Sequence, residues 1–312
     1  MHGPAQGSFT LSLDCEGLWG LADNPEILSK GLINDESLKM AYDYLLAVLG
    51  KCSINATACF VSAFAVDRGT LYDQIELVER LGGLNTSWFS SILRALKAGE
   101  LDGWSGSAFY RSMSAAGIEI GWHGATHLSL SQQTPDQSVA LEIELASRLL
   151  ASLGHWPTTI VFPRNQIGHL SLLRSIAFEN YREGLVSDRL SKARNLLAEF
   201  NLNAGCETQA FKFQNGWGVC SAGNFLNWPS GVRRLVPVGL TIKRWKSMLR
   251  AAAEHGGHVH MWFHPHNFIT APQMKVSFAE IMRFVGELIR SHDLVNLTIG
   301  EQAARARNRE LQ

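Results

Sequence analysis

Short apolar runs alternate with longer amphipathic segments along this chain, and that alternation sets the expected elements. Residues 9–13 read as a short buried strand. Residues 34–49 read as a helix, with Asp35 and Glu36 in its first turn and Gly50 just past its end. Residues 56–64 are apolar and partly β-branched or aromatic, the composition of a second strand. Residues 88–117 are mixed, with loop material around Gly103-Trp104-Ser105-Gly106. Residues 118–122 form a third strand. Thr134 can cap a helix with Pro135 at its first position, running to about Leu153. Residues 158–162 are a fourth strand, followed by Pro163-Arg164-Asn165 and a helix through Leu172. Residues 201–234 are rich in Gly, Asn and Trp and give no clear pattern. A helix starts at Thr241 and ends near His255, residues 258–263 are a strand, and residues 277–290 are a helix. Residues 294–299 form a last strand before a charged tail, 301–312. Strands alternate with helices and no composition break or repeat interrupts them. The expected architecture is one α/β domain over 1–312, core about 9–304, with a parallel sheet closed as a barrel; a doubly wound open sheet is the alternative.

Composition narrows the field. At 312 residues, 46% hydrophobic and 18% charged, the chain can bury a large core. Lys+Arg and Asp+Glu are both 28, which argues against a general nucleic-acid binder. The five cysteines are odd in number and contain no C-x-x-C pair, so neither a disulfide framework nor a zinc–cysteine site is expected. The first residues carry no basic start and no apolar core of a secretory signal, and no run of eighteen apolar residues appears. Together these features point to a reducing cytoplasm.

Two segments carry the candidate chemistry. Glu119-Ile120-Gly121-Trp122-His123-Gly124-Ala125-Thr126-His127 places two histidines four residues apart after a strand-like run. On one turn of helix such a pair faces the same way and can bind one metal ion. Leu13-Asp14-Cys15-Glu16-Gly17 offers carboxylates. If the strand persists, Asp14 and Glu16 share a face, suiting one as ligand and the other as general base. The competing reading is a solvated turn in which Asp14 caps a helix. In His258-Val259-His260-Met261-Trp262-Phe263-His264-Pro265-His266, Pro265 ends the strand and leaves His264 at its tip, where it can donate a proton. Incidental histidines on a half-exposed strand are the alternative. Arg164 follows the fourth strand and can orient a carboxylate, or lie on the surface. No G-x-S-x-G, Walker A or G-x-G-x-x-G sequence is present, which weakens serine hydrolase, NTPase and dinucleotide readings.

The order of these motifs resembles the polysaccharide deacetylase family, with its NodB-homology domain (carbohydrate esterase family 4). The resemblance covers about residues 9–304 and implies a single distorted (β/α) barrel and a divalent metal, zinc foremost, with cobalt, manganese or nickel as alternatives. It implies hydrolytic removal of an acetyl or formyl group from a sugar, nucleotide-sugar or glycan, in a setting such as bacterial capsule or O-antigen synthesis. By resemblance Asp14 is the catalytic base, Glu16 stands where a metal-binding aspartate is usual, and His123 and His127 are ligands. Arg164 holds the base and His264 is the general acid. Trp19, Trp122, Trp262 and His266 flank the motifs as candidate sugar contacts, with core packing as the other reading of the tryptophans. The chain departs from the family in writing Asp-Cys-Glu for an adjacent acidic pair, and in placing Arg164 after a proline instead of before one. No fourth motif is evident in 201–234. Two other classes stay open: a metal-dependent amidohydrolase on a non-sugar amide, and a carbohydrate-binding protein with a degenerate metal site.

Overall fold

The computed structural model of the chain describes residues 6–176, 178–184, 210–229 and 231–310. Its contacts form two compact units. One comprises Met1–Leu13, Asp43–Thr57 and Arg182–Gln312, the other Asp14–Tyr42 and Ala58–Tyr181. Both are assembled from separated stretches, so neither shows as a block of distinct composition. The strands are β1 (Gly7–Cys15), β2 (Thr57–Phe60), β3 (Glu119–Trp122), β4 (Thr159–Ile160) and β5 (Asn180–Arg182), then β6 (Phe211–Gln214), β7 (Trp217–Cys220), β8 (Asn224–Phe225), β9 (His258–Phe263) and β10 (Leu294–Asn296).

In the first unit β10, β1, β9 and β8 run side by side and parallel, with Phe9 beside Val259, Leu11 beside Met261 and Leu13 beside Phe263. The helices Val238–His255 and Met274–Arg290 pack against each other. β6 and β7 form an antiparallel pair. β1 follows a period of two: Phe9, Leu11, Leu13 and Cys15 alternate with Ser8, Thr10, Ser12 and Asp14. Even its polar positions are buried or nearly so, and Ser8, Thr10 and Ser12 are hydrogen-bonded. Ser8 Oγ lies 2.9 Å from His258 Nδ1. The Thr10 hydroxyl donates to the Leu297 carbonyl at 2.8 Å. Ser12 Oγ meets His260 Nε2 at 2.8 Å and accepts from Arg182 Nη1 at 3.0 Å. Arg182 is fully buried, its guanidinium 4.4 Å from the centre of the Trp262 ring.

In the second unit the strand order is β2, β3, β4, β5, with β3–β4 and β4–β5 parallel. The helix Ile75–Leu84 packs on Thr86–Ala98 and on Asp136–Leu153. β3 delivers His123 at its C-terminal end and β1 delivers Asp14, the end of a strand where α/β folds gather chemistry.

Several expected elements change. The apolar run 56–64 is strand only over Thr57–Phe60; Ser62–Ala65 is a helical turn, because the Ser62 and Ala63 N–H groups donate to the carbonyls of Gly124 and Ala125 at 2.9 Å. The helix starting near Asp35 runs through Gly50 to Cys52. The mixed stretch 88–117 is largely two helices, Thr86–Ala98 and Ser107–Ala115. The tail is a helix, Ile299–Glu310, whose Ile299 and Ala303 bury against Phe211 and Cys220. Of the unpatterned stretch, residues 211–225 supply β6 to β8, while 201–209 and 230 lie outside the described residues.

His258 gives this unit a measurable acid sensitivity. Burial pushes its pKa down from 6.5 to about 4, partly offset by Ser8. A lowered pKa on a buried base means that the unfolded chain binds the proton first. The stability it contributes is therefore complete above pH 6.5 and is lost as pH falls through 4, of order 3 kcal/mol in all. Urea unfolding of wild type and His258→Gln between pH 7 and 4 should show a shallower loss in the variant. Parallel pH profiles would rule this out.

Candidate active site

The site in the second unit begins where β1 stops. Cys15 is the last strand residue; Glu16 leaves the strand (φ −129°, ψ −14°) and its carbonyl accepts from Trp19 N–H at 3.0 Å, opening the 3₁₀ turn Gly17–Leu21. The carboxylate of Glu16 folds back over Gly20. A Cβ on Gly20 would stand 1.9 Å from Glu16 Oε1 and 2.1 Å from Cδ, so only glycine leaves room for it. This accommodates the extra methylene of a glutamate where the resemblance expects an aspartate.

His123 and His127 meet that carboxylate. Glu16 Oε2 lies 2.8 Å from His127 Nε2 and 3.3 Å from His123 Nε2, and the three residues are 3%, 5% and 1% exposed. The histidines are not on a helical turn, as their spacing allowed. Gly124 (φ 83°) and His127 (φ 63°) both take left-handed backbone, which no helix permits. A Cβ on Gly124 would also meet Pro163 at 2.9 Å. The turn is fixed from outside: Ala125 N–H and Thr126 N–H each donate to Glu142 Oε1 at 2.8 Å, and the Thr126 hydroxyl donates to Oε2 at 2.7 Å. Burial pushes the Glu142 carboxyl up to about 7 against these three donors. Sequence reasoning missed Glu142; the available signal was a lone acid among Val139, Leu141 and Leu145 on the helix Asp136–Leu153.

The tautomer of His123 follows from its second nitrogen. Nδ1 lies 2.7 Å from the Val161 carbonyl, which accepts only from a protonated Nδ1. In a neutral ring Nε2 is then an acceptor, and it faces Glu16. Two acceptors so placed call for a cation between them, a proton or a metal. Burial would lower the pKa of His123, but the negative charges of Asp14 and Glu16 outweigh it and raise the pKa above its ordinary value. The site thus attracts positive charge. Two imidazole nitrogens and a carboxylate oxygen lie within 4.8 Å of one another, a donor set that fits a divalent ion such as zinc. Asp14 is 1% exposed. Cys15 is buried beside the Tyr42 hydroxyl, and burial first of all raises the pKa of both, keeping the thiol protonated.

Arg164 departs from expectation. Its guanidinium pairs with Asp23, not Asp14, and lies 4.3 Å from the centre of the Trp88 ring. The reason is local: Arg164 and Asn165 both have positive φ (58° and 56°) within the 3₁₀ turn Pro163–Asn165, which redirects the side chain. The tryptophans singled out as sugar contacts are core residues. Trp19 and Trp122 are 0% exposed and Trp262 is 5%. Trp19 Nε1–H donates to the Trp104 carbonyl, and Trp122 Nε1–H to Ser62 Oγ. In the first unit His264 follows the end of β9, its backbone N–H donating to Asn267 Oδ1 at 3.3 Å, and its ring stacks on that of buried His266 with centroids 5.1 Å apart. Buried Arg182 was also missed; its setting emerges only with the sheet.

Comparison with known proteins bears on this arrangement. Residues 31–175 match the family model Polysaccharide deacetylase. This is the family whose motifs the sequence resembles. The matched residues include His123, His127 and Arg164; Asp14 and Glu16 precede them and His264 follows. A crystal structure described as a putative polysaccharide deacetylase from Mycobacterium smegmatis is similar over 100% of this chain and 94% of its own, with TM-score 0.60 and 15% identity. That likeness shows the fold, a distorted (β/α) arrangement of the polysaccharide deacetylase type. Weaker likenesses are to the Xyl-CE4 domain of a multidomain xylanase from the hindgut metagenome of Trinervitermes trinervoides (TM-score 0.47, 11% identity, 96% of this chain and 91% of that one), and to the peptidoglycan deacetylase PdaC of Bacillus subtilis (TM-score 0.46, 13% identity, 99% and 96%). No curated protein matches the sequence. No helix among the described residues is long and apolar enough to cross a membrane.

Two substitutions test this construction. Gly20→Ala should displace the Glu16 carboxylate and weaken zinc binding by about 10–100-fold, the range for supporting residues of metal sites; unchanged affinity by calorimetry would exclude Gly20 as the cradle. Glu142→Ala strands two buried N–H groups and should cost on the order of 2–5 kcal/mol in chemical denaturation. Glu142→Gln keeps an acceptor oxygen and should cost clearly less. Equal losses would show that the hydrogen bonds do not hold the turn.

Proposed function

We propose that this chain is a metal-dependent hydrolase that removes an N-acyl group, acetyl or formyl, from a sugar in the synthesis of a bacterial surface polysaccharide such as capsule or O-antigen. The observation that carries this reading is the buried set Glu16, His123 and His127, with the charge of Asp14 acting on His123. Those three residues would hold the ion, zinc foremost, with cobalt, manganese and nickel as alternatives. When bound there, a divalent ion supplies Lewis acidity for an acyl carbonyl and lowers the pKa of water.

The chain's own residues account for the proton transfers. Asp14, a buried carboxylate at the strand end, takes the proton of the attacking water as the carbon–oxygen bond forms. The carbon–nitrogen bond then breaks and the leaving amine accepts a proton. The resemblance gives that donor role to His264. The products are the free carboxylate and an amino sugar. Arg164, engaged with Asp23, takes no part in orienting the base in this scheme.

The test couples metal content to turnover. After reconstitution with zinc, wild type should hold close to one equivalent and release acetate from acetylated sugars. Asp14→Asn should retain the metal and lose about 10²–10⁴-fold in rate. His123→Ala/His127→Ala should lose both. Full activity in Asp14→Asn would remove that residue from the role of base. Absence of metal from wild type would favour a binding protein on a deacetylase scaffold.

A further inference from the structure

Charge is spread unevenly along a chain whose total is balanced. Residues 208–253 contain seven Lys and Arg and no Asp or Glu, although the whole chain has 28 of each sign. Most of these cations are engaged inside the first unit. Arg244 is buried and donates to Asn224 Oδ1 at 3.3 Å. Lys212 pairs with Glu183 at 2.9 Å, Lys246 with Glu280 at 3.7 Å, and Arg250 lies over the Phe284 ring. Arg234 and Lys243 instead face solvent.

The 3₁₀ turn Gly231–Leu235 sets two large apolar side chains on either side of Arg234 and its neighbour Arg233. Three residues complete one turn of such a helix, so Val232 and Leu235 share a face. They are 65% and 79% exposed, the pattern of a surface left for something other than water. The turn is pinned on both sides. Arg233 Nη1 donates to buried Asn227 Oδ1 at 3.4 Å, and the N–H of buried Val236 donates to the Arg233 carbonyl at 3.2 Å. Pro237 then leads into the helix Val238–His255, whose first turn carries no acidic residue. Lys243 is about 7.5 Å along that helix from its start, within the ~10 Å over which a charge is felt at moderate salt.

We propose that the turn Gly231–Leu235 is a docking patch for an anionic bilayer surface. Val232 and Leu235 enter the boundary between headgroups and acyl chains, while Arg234 and Lys243 meet the lipid phosphates. The combination selects this occupant, because stable attachment to a membrane takes an apolar and a basic signal together. A nucleic acid would satisfy Arg234 and Lys243 but leave Val232 and Leu235 in water. A second copy meeting the same patch would set like charges against each other. The inference is independent of the metal centre.

The experiment is co-sedimentation of the full chain with vesicles of phosphatidylcholine, pure or containing about 30% phosphatidylglycerol. Wild type should pellet with the anionic vesicles and stay in solution with the neutral ones, and its binding should fade as salt is raised. Arg234→Gln/Lys243→Gln should weaken partitioning about 25-fold, or about fivefold for each charge removed. Val232→Ser/Leu235→Ser should weaken it about tenfold or more. All four side chains lie on the surface, so both variants should melt like wild type. Failure of wild type to bind anionic vesicles, or undiminished binding in either variant, would overturn the patch. So would a single-stranded DNA that binds as tightly as the vesicles and is indifferent to Val232→Ser/Leu235→Ser, the mark of a general polyanion site. A dimer in solution that the same variant breaks would give the face to a second copy and overturn it as well.

Discussion

The candidate site in the second unit is arranged around one carboxylate held out of water between two imidazoles. An isolated buried charge of that kind costs several kcal/mol, so something positive must accompany it. Glu16 is 3% exposed and faces ring nitrogens at 2.8 and 3.3 Å. His123 cannot turn a donor toward it while neutral, because its Nδ1–H is committed to the Val161 carbonyl. The demand for a cation is thus built into the backbone of Val161, just after β4, one strand away from His123. The local peculiarities follow from it. Gly20 lacks a side chain where the carboxylate folds back, and Gly124 and His127 adopt left-handed backbone so that both rings face inward. A non-glycine residue held at positive φ carries strain that the surroundings must offset.

Much of that offset comes from a second buried carboxylate, and the contrast between the two is informative. Glu142 is 0% exposed, as deeply buried as Glu16, yet it accepts from two backbone N–H groups and a hydroxyl. Its surroundings are donors; it ties the turn down and calls for no ion. The surroundings of Glu16 are imidazole nitrogens, whose protonation can change. The same functional group, similarly buried, is structural in one setting and cation-seeking in the other, and what decides is the polarity of the atoms facing it.

The legibility of the chain divides along the same line. β9 runs over His258–Phe263, the expected residues, because its apolar run is bounded by Gly257 and Pro265. The ligand candidates were legible because spacing of chemically distinctive residues survives without knowing the partners. Their local shape was not: four-residue spacing fits a helical turn, and only the carbonyls of Gly124 and Ala125, taken by Ser62 and Ala63, show a bent loop. The run 56–64 could not be divided from sequence, since a short apolar stretch has no period that tells strand from helix. The final helix has few apolar residues, and the two that anchor it, Ile299 and Ala303, gain meaning only when Phe211 and Cys220 meet them. Glu142, Trp88 and Arg182 were missed for one reason: each acts through a neighbour distant in sequence. Arg164 was found, but its partner depends on a left-handed turn that no composition rule announces.

The histidines of β9 complete the argument by contrast. His258 and His260 are an H-x-H pair, buried like His123 and His127. Their nitrogens, however, meet partners that suit a neutral ring: serine hydroxyls, which can donate or accept, and for His260 also a carbonyl, which accepts from Nδ1–H. His258 Nδ1 meets the Ser8 hydroxyl, and His260 meets the Ser12 hydroxyl and the Ser221 carbonyl. A serine hydroxyl rotates to suit a neutral imidazole, so no cation is needed, and the lowered pKa of His258 shows burial winning over any attraction for a proton. At His123 the balance runs the other way because Asp14 and Glu16 are near. The histidine count along the chain therefore does not locate the centre. The position of the carboxylates relative to the ring nitrogens does, and by that criterion the β3 turn offers a cation site where the His258–His260 pair of β9 does not.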